Sequence, residues 1–132
     1  MRFAFAFLAL AATLPACTMA QGGPLALPGT QWRITRIDGA APVVPDRARL
    51  TFETDRLGAN VGCNGMGGEY RLEGERLIAG PLIATRMFCE GPVWGQEEAV
   101  GALLAGAPKI ARSGDTLRLD SGGHSLEAAR VR

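Results

Sequence analysis

The chain has 132 residues, with 14 basic and 13 acidic side chains, one histidine, three cysteines and 18 glycines. A charge balance this even provides no basic face for nucleic acid and no charge run for anionic lipid. Many glycines with few aromatic residues suit short strands joined by tight turns.

Met1 and Arg2 form a minimal positive start, residues 3–14 an apolar run, and Pro15-Ala16-Cys17-Thr18-Met19-Ala20 a break of mostly small residues. That order predicts a secretory signal peptide over residues 1–20. The run falls well short of the ~20 apolar residues that a spanning helix needs. Two cleavage readings compete. Leu14-Pro15-Ala16-Cys17 is similar to a lipobox, with Cys17 lipidated as the mature N-terminus. The other cuts after Ala20 and discards Cys17. Lipidation at Cys17 is the expectation, because cysteine is scarce and one stands where an anchor needs it. Either cleavage exports the protein to the periplasm, where disulfides persist; the lipidated form is anchored at the outer membrane. Membrane contact is expected only through that anchor. Residues 21–29, rich in Gly and Pro, read as a flexible tether. Residues 30–132 read as one domain, large enough for a single core.

Along that domain, residues 31–37 have β-branched and aromatic bias and end at the turn pair Asp38-Gly39. Residues 47–53 alternate, with Ala48, Leu50 and Phe52 on one side and Arg49, Thr51 and Glu53 on the other. This is a strand with one wet face, the mark of an antiparallel sheet. Leu57, Ala59 and Val61 continue the alternation. Residues 67–72 resume it with Tyr70 and Leu72 inward, and residues 76–79 and 82–88 read as further strands. A helix is expected from about Pro92, a residue that loses no needed N–H at the first helical position, to Ala105. Its core face is read as Val93, Val100, Leu104 and Ala107, with Leu103 beside them. Gln96, Glu97 and Glu98 are read as its solvated face. Gly106 and Pro108 end it. Residues 109–112, 116–120 and 124–131 complete the pattern. The expected fold is α+β and mostly β: a curved antiparallel sheet closing into an open barrel of about eight short strands with one helix.

Cys63 and Cys89 admit three readings. A structural disulfide fits the compartment and the even count in the domain; the alternatives are a buried unlinked thiol pair and thiol chemistry. A zinc site lacks ligands, since His124 is the only histidine and structural zinc takes four. His124 lies in a Gly-Gly-His turn with no evident orienting partner, which weakens it as a catalytic base. No catalytic residue, metal ligand or cofactor is expected. Gly62 to Gly68 runs into Glu69-Tyr70 and carries no lysine, so it is not a phosphate loop. Gly65, Gly67 and Gly68 are read as allowing positive φ or a bulge, and Asn64 as bonding its own backbone in the turn. Tyr70 needs a hydroxyl partner. Trp94, Met66 and Met87 are candidate ligand-lining residues. The favoured alternative is that they fill the core together with Trp32 and Phe88.

The segment Gly62-Cys63-Asn64-Gly65-Met66-Gly67-Gly68-Glu69-Tyr70 and the later Thr85-Arg86-Met87-Phe88-Cys89 together resemble the META domain, the HslJ-like group of small bacterial envelope proteins. Gly29-Thr30-Gln31-Trp32, Leu50-Thr51-Phe52 and Leu117-Arg118-Leu119 extend the resemblance from Gly29 to Arg130. Phe88 stands where that family usually has alanine. The resemblance marks Gly62, Asn64, Gly68, Tyr70 and Thr85 as structural motif residues. It implies an open β-barrel, a periplasmic or outer-membrane location, and links to heat induction and tolerance of hydrophobic antibiotics. It carries no catalytic residues. The expected function is non-enzymatic: binding of an envelope protein, lipid or apolar compound, with no nucleic acid among the partners. The alternative is a small-molecule or lipid carrier with a ligand cavity in the barrel.

Overall fold

The computed structural model describes residues 25–132; the expected signal peptide, its Cys17 and residues 21–24 lie outside them. The packed domain begins before Thr30. Leu27, counted with the tether from sequence, is fully buried. Thr30 Oγ1 donates to the Leu27 carbonyl at 2.6 Å, and the Gly29 amide to the Phe52 carbonyl at 2.8 Å. A buried leucine contributes about 2 kcal/mol, which fastens this end of the chain to the barrel.

The strands are β1 (Thr30–Ile37), β2 (Arg49–Phe52), β3 (Arg56–Asn60), β4 (Gly65–Glu73), β5 (Arg76–Ala79), β6 (Ile83–Ala84), β7 (Lys109–Ser113), β8 (Thr116–Ser121) and β9 (His124–Arg130). The helix α1 (Pro92–Ala105) falls between β6 and β7. The strands hydrogen-bond in the order β3-β2-β1-β9-β8-β7-β5-β4, and β3 pairs with β4 to close the ring. Every pairing is antiparallel. The result is an eight-stranded closed barrel, with β6 as an extra strand on β4. The weakest seam is β5–β7. There Arg76 faces Lys109 as the only registered pair, flanked by Leu77 N–H to Pro108 O at 2.9 Å and Ile110 N–H to Glu75 O at 2.8 Å.

Side chains fill the barrel. Trp32, Leu50, Leu77, Leu117, Leu119 and Leu126 have no exposed surface, and Phe52 has 1%. The alternation read from sequence holds in β2, β3 and β8. It fails at Leu72, which is exposed and lies past Glu69, the last β4 residue paired with β3, where β4 pairs with β5 alone. Tyr70 packs edge-on against Phe52, with ring centroids 5.2 Å apart, and its hydroxyl donates to the Glu53 carbonyl at 3.0 Å.

Gly67 and Gly68 of β4 are needed for close approach and not for positive φ, while Gly65 has open space beside it. A Cβ on Gly67 would stand 2.8 Å from the Leu57 carbonyl oxygen, and one on Gly68 would stand 2.6 Å from that of Pro81. The left-handed residue is Gly62, with φ +130°, where a Cβ would meet the Val44 side chain at 2.6 Å.

The helix has the expected bounds, with proline in its first turn. Its buried residues are Glu97, Ala99, Val100, Leu103 and Leu104. Val93 is only half-buried. Beneath the helix Met66 is 7% exposed, its Sδ 4.0 Å from where a Cβ on Gly101 would lie. Met66 therefore fills the core, the favoured of its two readings from sequence, and is not among the residues lining the cleft described below.

Candidate functional site

The expected strand over 82–88 is only two residues long. The reason is Asn64, in the turn between β3 and β4. Its Oδ1 accepts the Met87 N–H at 2.7 Å, and its Nδ2 donates to the Met87 carbonyl at 3.1 Å. A side-chain amide has the same donor and acceptor as a peptide group, so Asn64 takes the place of a partner strand. The chain beyond Ala84 is thus held through Asn64 and leaves the sheet as a lip. Asn64 was read as bonding its own backbone; its side chain reaches across to this lip.

Thr85 completes the clamp. Its hydroxyl donates to Asn64 Oδ1 at 2.9 Å and accepts the Gly65 N–H at 3.2 Å. From the other side comes Glu97, read from sequence as solvated and in fact 8% exposed. Its Oε1 accepts the Asn64 backbone N–H at 2.7 Å and its Oε2 accepts Asn64 Nδ2 at 3.0 Å. Cys63 and Cys89 form a disulfide beside Asn64, with Cα atoms 6.2 Å apart. Asn64 Nδ2 also lies 3.5 Å from Cys89 Sγ. The turn, the lip and the helix are therefore locked together around one buried amide, which is 2% exposed.

This lock carries an apolar mouth. Phe88 is 87% exposed, Met87 56% and Trp94 44%, and all three line one cleft. Ile83, 74% exposed on β6, is not among its lining residues. Apolar side chains exposed together mark contact sites. Met87, Phe88 and Trp94 were favoured as core from sequence, with Met87 and Trp94 also candidate lining residues. The clamp at Asn64 turns Met87 and Phe88 outward, and Trp94 lies in the first, uncovered turn of α1. The lip and helix enclose a cleft of about 500 Å³. Trp94, Met87, Phe88 and Leu82 line it, and Asn64, Thr85, Arg86 and Glu97 form its polar part. Of the candidate lining residues, Trp94 and Met87 are in place and Met66 is not. The motif residues Asn64 and Thr85 come together; Gly62, Gly68 and Tyr70 support the fold around them.

Sequence reasoning missed Glu97. The available signal was its position, four residues after Val93 and three before Val100, on the helix stripe that faces inward.

The sulfur atoms of Cys63 and Cys89 and a Glu97 oxygen lie within 4.8 Å of one another, a grouping that suits a metal. Here the sulfurs are bonded to each other and the carboxylate to Asn64, so the set provides no thiolate. His124 begins β9, with Nδ1 2.9 Å from Asp38 Oδ2. It does have an orienting carboxylate, which sequence reading did not find. Asp38 also accepts the Ser125 N–H at 2.9 Å. The His124 hydrogen bond, and then that of Ser125, hold the Asp38 carboxyl below its ordinary value. Among the described residues the imidazole's side-chain partner is Asp38, and both cysteines of the domain are joined in the disulfide.

A family model described as META domain matches residues 25–132. Two solved structures are similar. One is an NMR structure, 21% identical, covering 78% of this chain and 90% of the other with a TM-score of 0.67; it is a likeness of fold. The other is an NMR structure of a protein from Burkholderia xenovorans, 27% identical, covering 80% and 83% with a TM-score of 0.63. No curated protein matches the chain.

Proposed function

This chain belongs to the META domain family, and we propose that it is an exported, non-enzymatic envelope protein that works by binding. The observation that carries the reading is the mouth: Met87 and Phe88, on a lip tied down by a disulfide and a buried amide, and Trp94, on α1, stand in solvent around one cleft. A rigid exposed apolar surface loses little entropy on binding. Its occupant is an apolar chain or the apolar segment of an envelope partner. Export is supported by the order of residues 1–20 and by the disulfide. A role in heat or antibiotic stress follows from the family resemblance.

Catalysis has little support among the described residues. Nucleophile, base and orienting group must meet at one place, and His124 with Asp38 has no nucleophilic partner from the disulfide. The carrier reading, with a ligand inside the barrel, is disfavoured because Trp32, Phe52 and the inward leucines occupy that space. The test is calorimetric titration with decyl maltoside below its micellar concentration. Saturable binding that Phe88→Ser weakens at least several-fold is expected. Equal binding by both proteins would remove the mouth from consideration.

A further inference from the structure

The mouth is apolar at its rim and acidic at its floor. Trp94 and Glu97 are three residues apart on α1 and so are neighbours on one helix surface. Both line the cleft, together with Phe88 and Met87. Glu97 is 8% exposed, yet among the described residues no Lys, Arg or His lies within ion-pair distance of it. Its oxygens meet only Asn64, a neutral donor. Buried charges are ordinarily paired. Here the carboxylate is satisfied in hydrogen bonds with no cation at ion-pair distance, and the part-exposed Trp94 shares its helix surface.

We propose that this cleft binds amphiphilic organic cations. The alkylammonium head sits between the Trp94 ring and the Glu97 carboxylate, and the apolar tail lies along Met87 and Phe88. An ammonium over an indole face gains from the ring quadrupole, and a low-dielectric wall strengthens its attraction to the carboxylate. Arg86 is the one basic residue lining the cleft, and among the described residues it has no ion-pair partner. Its like charge opposes a cation bound in the same cleft. The inference rests on the mouth being a binding site and adds the charge of its ligand.

The test is calorimetry on the full mature protein with three decyl probes below their micellar concentrations: trimethylammonium, sulfate and maltoside. The cation is expected to bind roughly 10-fold more tightly than the sulfate. Trp94→Leu keeps an apolar side chain and removes the indole, so cation binding is expected to fall by about 3- to 10-fold, and by more than sulfate binding does. Arg86→Ala is expected to tighten the cation. Glu97→Gln is expected to abolish the preference; if that variant does not fold, Trp94→Leu and Arg86→Ala decide. Equal binding of cation and sulfate alongside decyl maltoside binding would overturn the inference and leave the apolar mouth standing. Tighter sulfate would overturn it in favour of Arg86. Binding of none of the three would overturn both readings.

Discussion

Glu97 and Asn64 are joined twice, through the Asn64 backbone N–H at 2.7 Å and its side-chain Nδ2 at 3.0 Å. One helical acid thereby fixes both parts of a turn residue 33 positions earlier. The same Asn64 fixes Met87. The lip, the turn and the helix are thus one hydrogen-bonded unit, and the mouth owes its shape to it.

Glu97→Ala is expected to destabilise the fold by about 2 to 3 kcal/mol, since it leaves two buried donors of Asn64 without their acceptor. Glu98→Ala, next to it and exposed, is expected to stay within about 0.5 kcal/mol. Urea melts of the two variants check the contrast. Equal costs would mean that the carboxylate does not hold Asn64.

Asn64→Ala removes the clamp and takes the Nδ2 donor from the Glu97 carboxylate, leaving it only the backbone N–H. A loss of about 3 kcal/mol or more is expected, because a buried charge that loses a hydrogen-bond donor is costly. Amide exchange at Met87 should speed up in any variant of Asn64 that still folds, as its N–H loses the Oδ1 acceptor. Unchanged protection there would contradict the clamp.

Reduction of the Cys63–Cys89 bond opens a loop with a sequence separation of 26. The chain-entropy account gives a loss of roughly 3 to 4 kcal/mol. A thiol reductant should lower the melting temperature by well over 10 °C on the usual scaling of about 4 to 8 °C per kcal/mol. A shift of only a degree or two would show that packing alone holds the lip.

Asp38 has a depressed carboxyl pKa, so protons favour the unfolded chain. Its stabilisation is full above the ordinary value of 3.8 and disappears as pH falls through the lower folded value. The pair is more than a third exposed, so the effect is expected to be under about 1 kcal/mol. His124→Ala should flatten the loss of stability below about pH 4. An unchanged slope would mean that the imidazole does not hold the carboxylate.

The barrel was legible because its signal is repeated. Leu50 and Phe52, Leu57 and Ala59, Leu117 and Leu119 each alternate with polar neighbours, and burial follows that period of two. Pro92 and Gly106 marked the helix ends. The mouth was hidden for opposite reasons at two positions. Glu97 occupies an inward position but is acidic, and its burial depends on Asn64, which only the folded chain brings near. Phe88 is apolar but exposed, because a side chain and not a strand fixes its neighbour Met87. Residue type misleads where a long-range polar contact decides the geometry.

The most direct measurement is backbone-amide NMR of the labelled protein as decyl maltoside is added below its micellar concentration. Shifts should concentrate on Ile83 to Phe88 and on the Trp94 indole N–H, with Trp32 and the β8–β9 turn unmoved. Shifts gathered around Trp32 and the barrel interior, or none at all, would contradict a binding mouth at the lip.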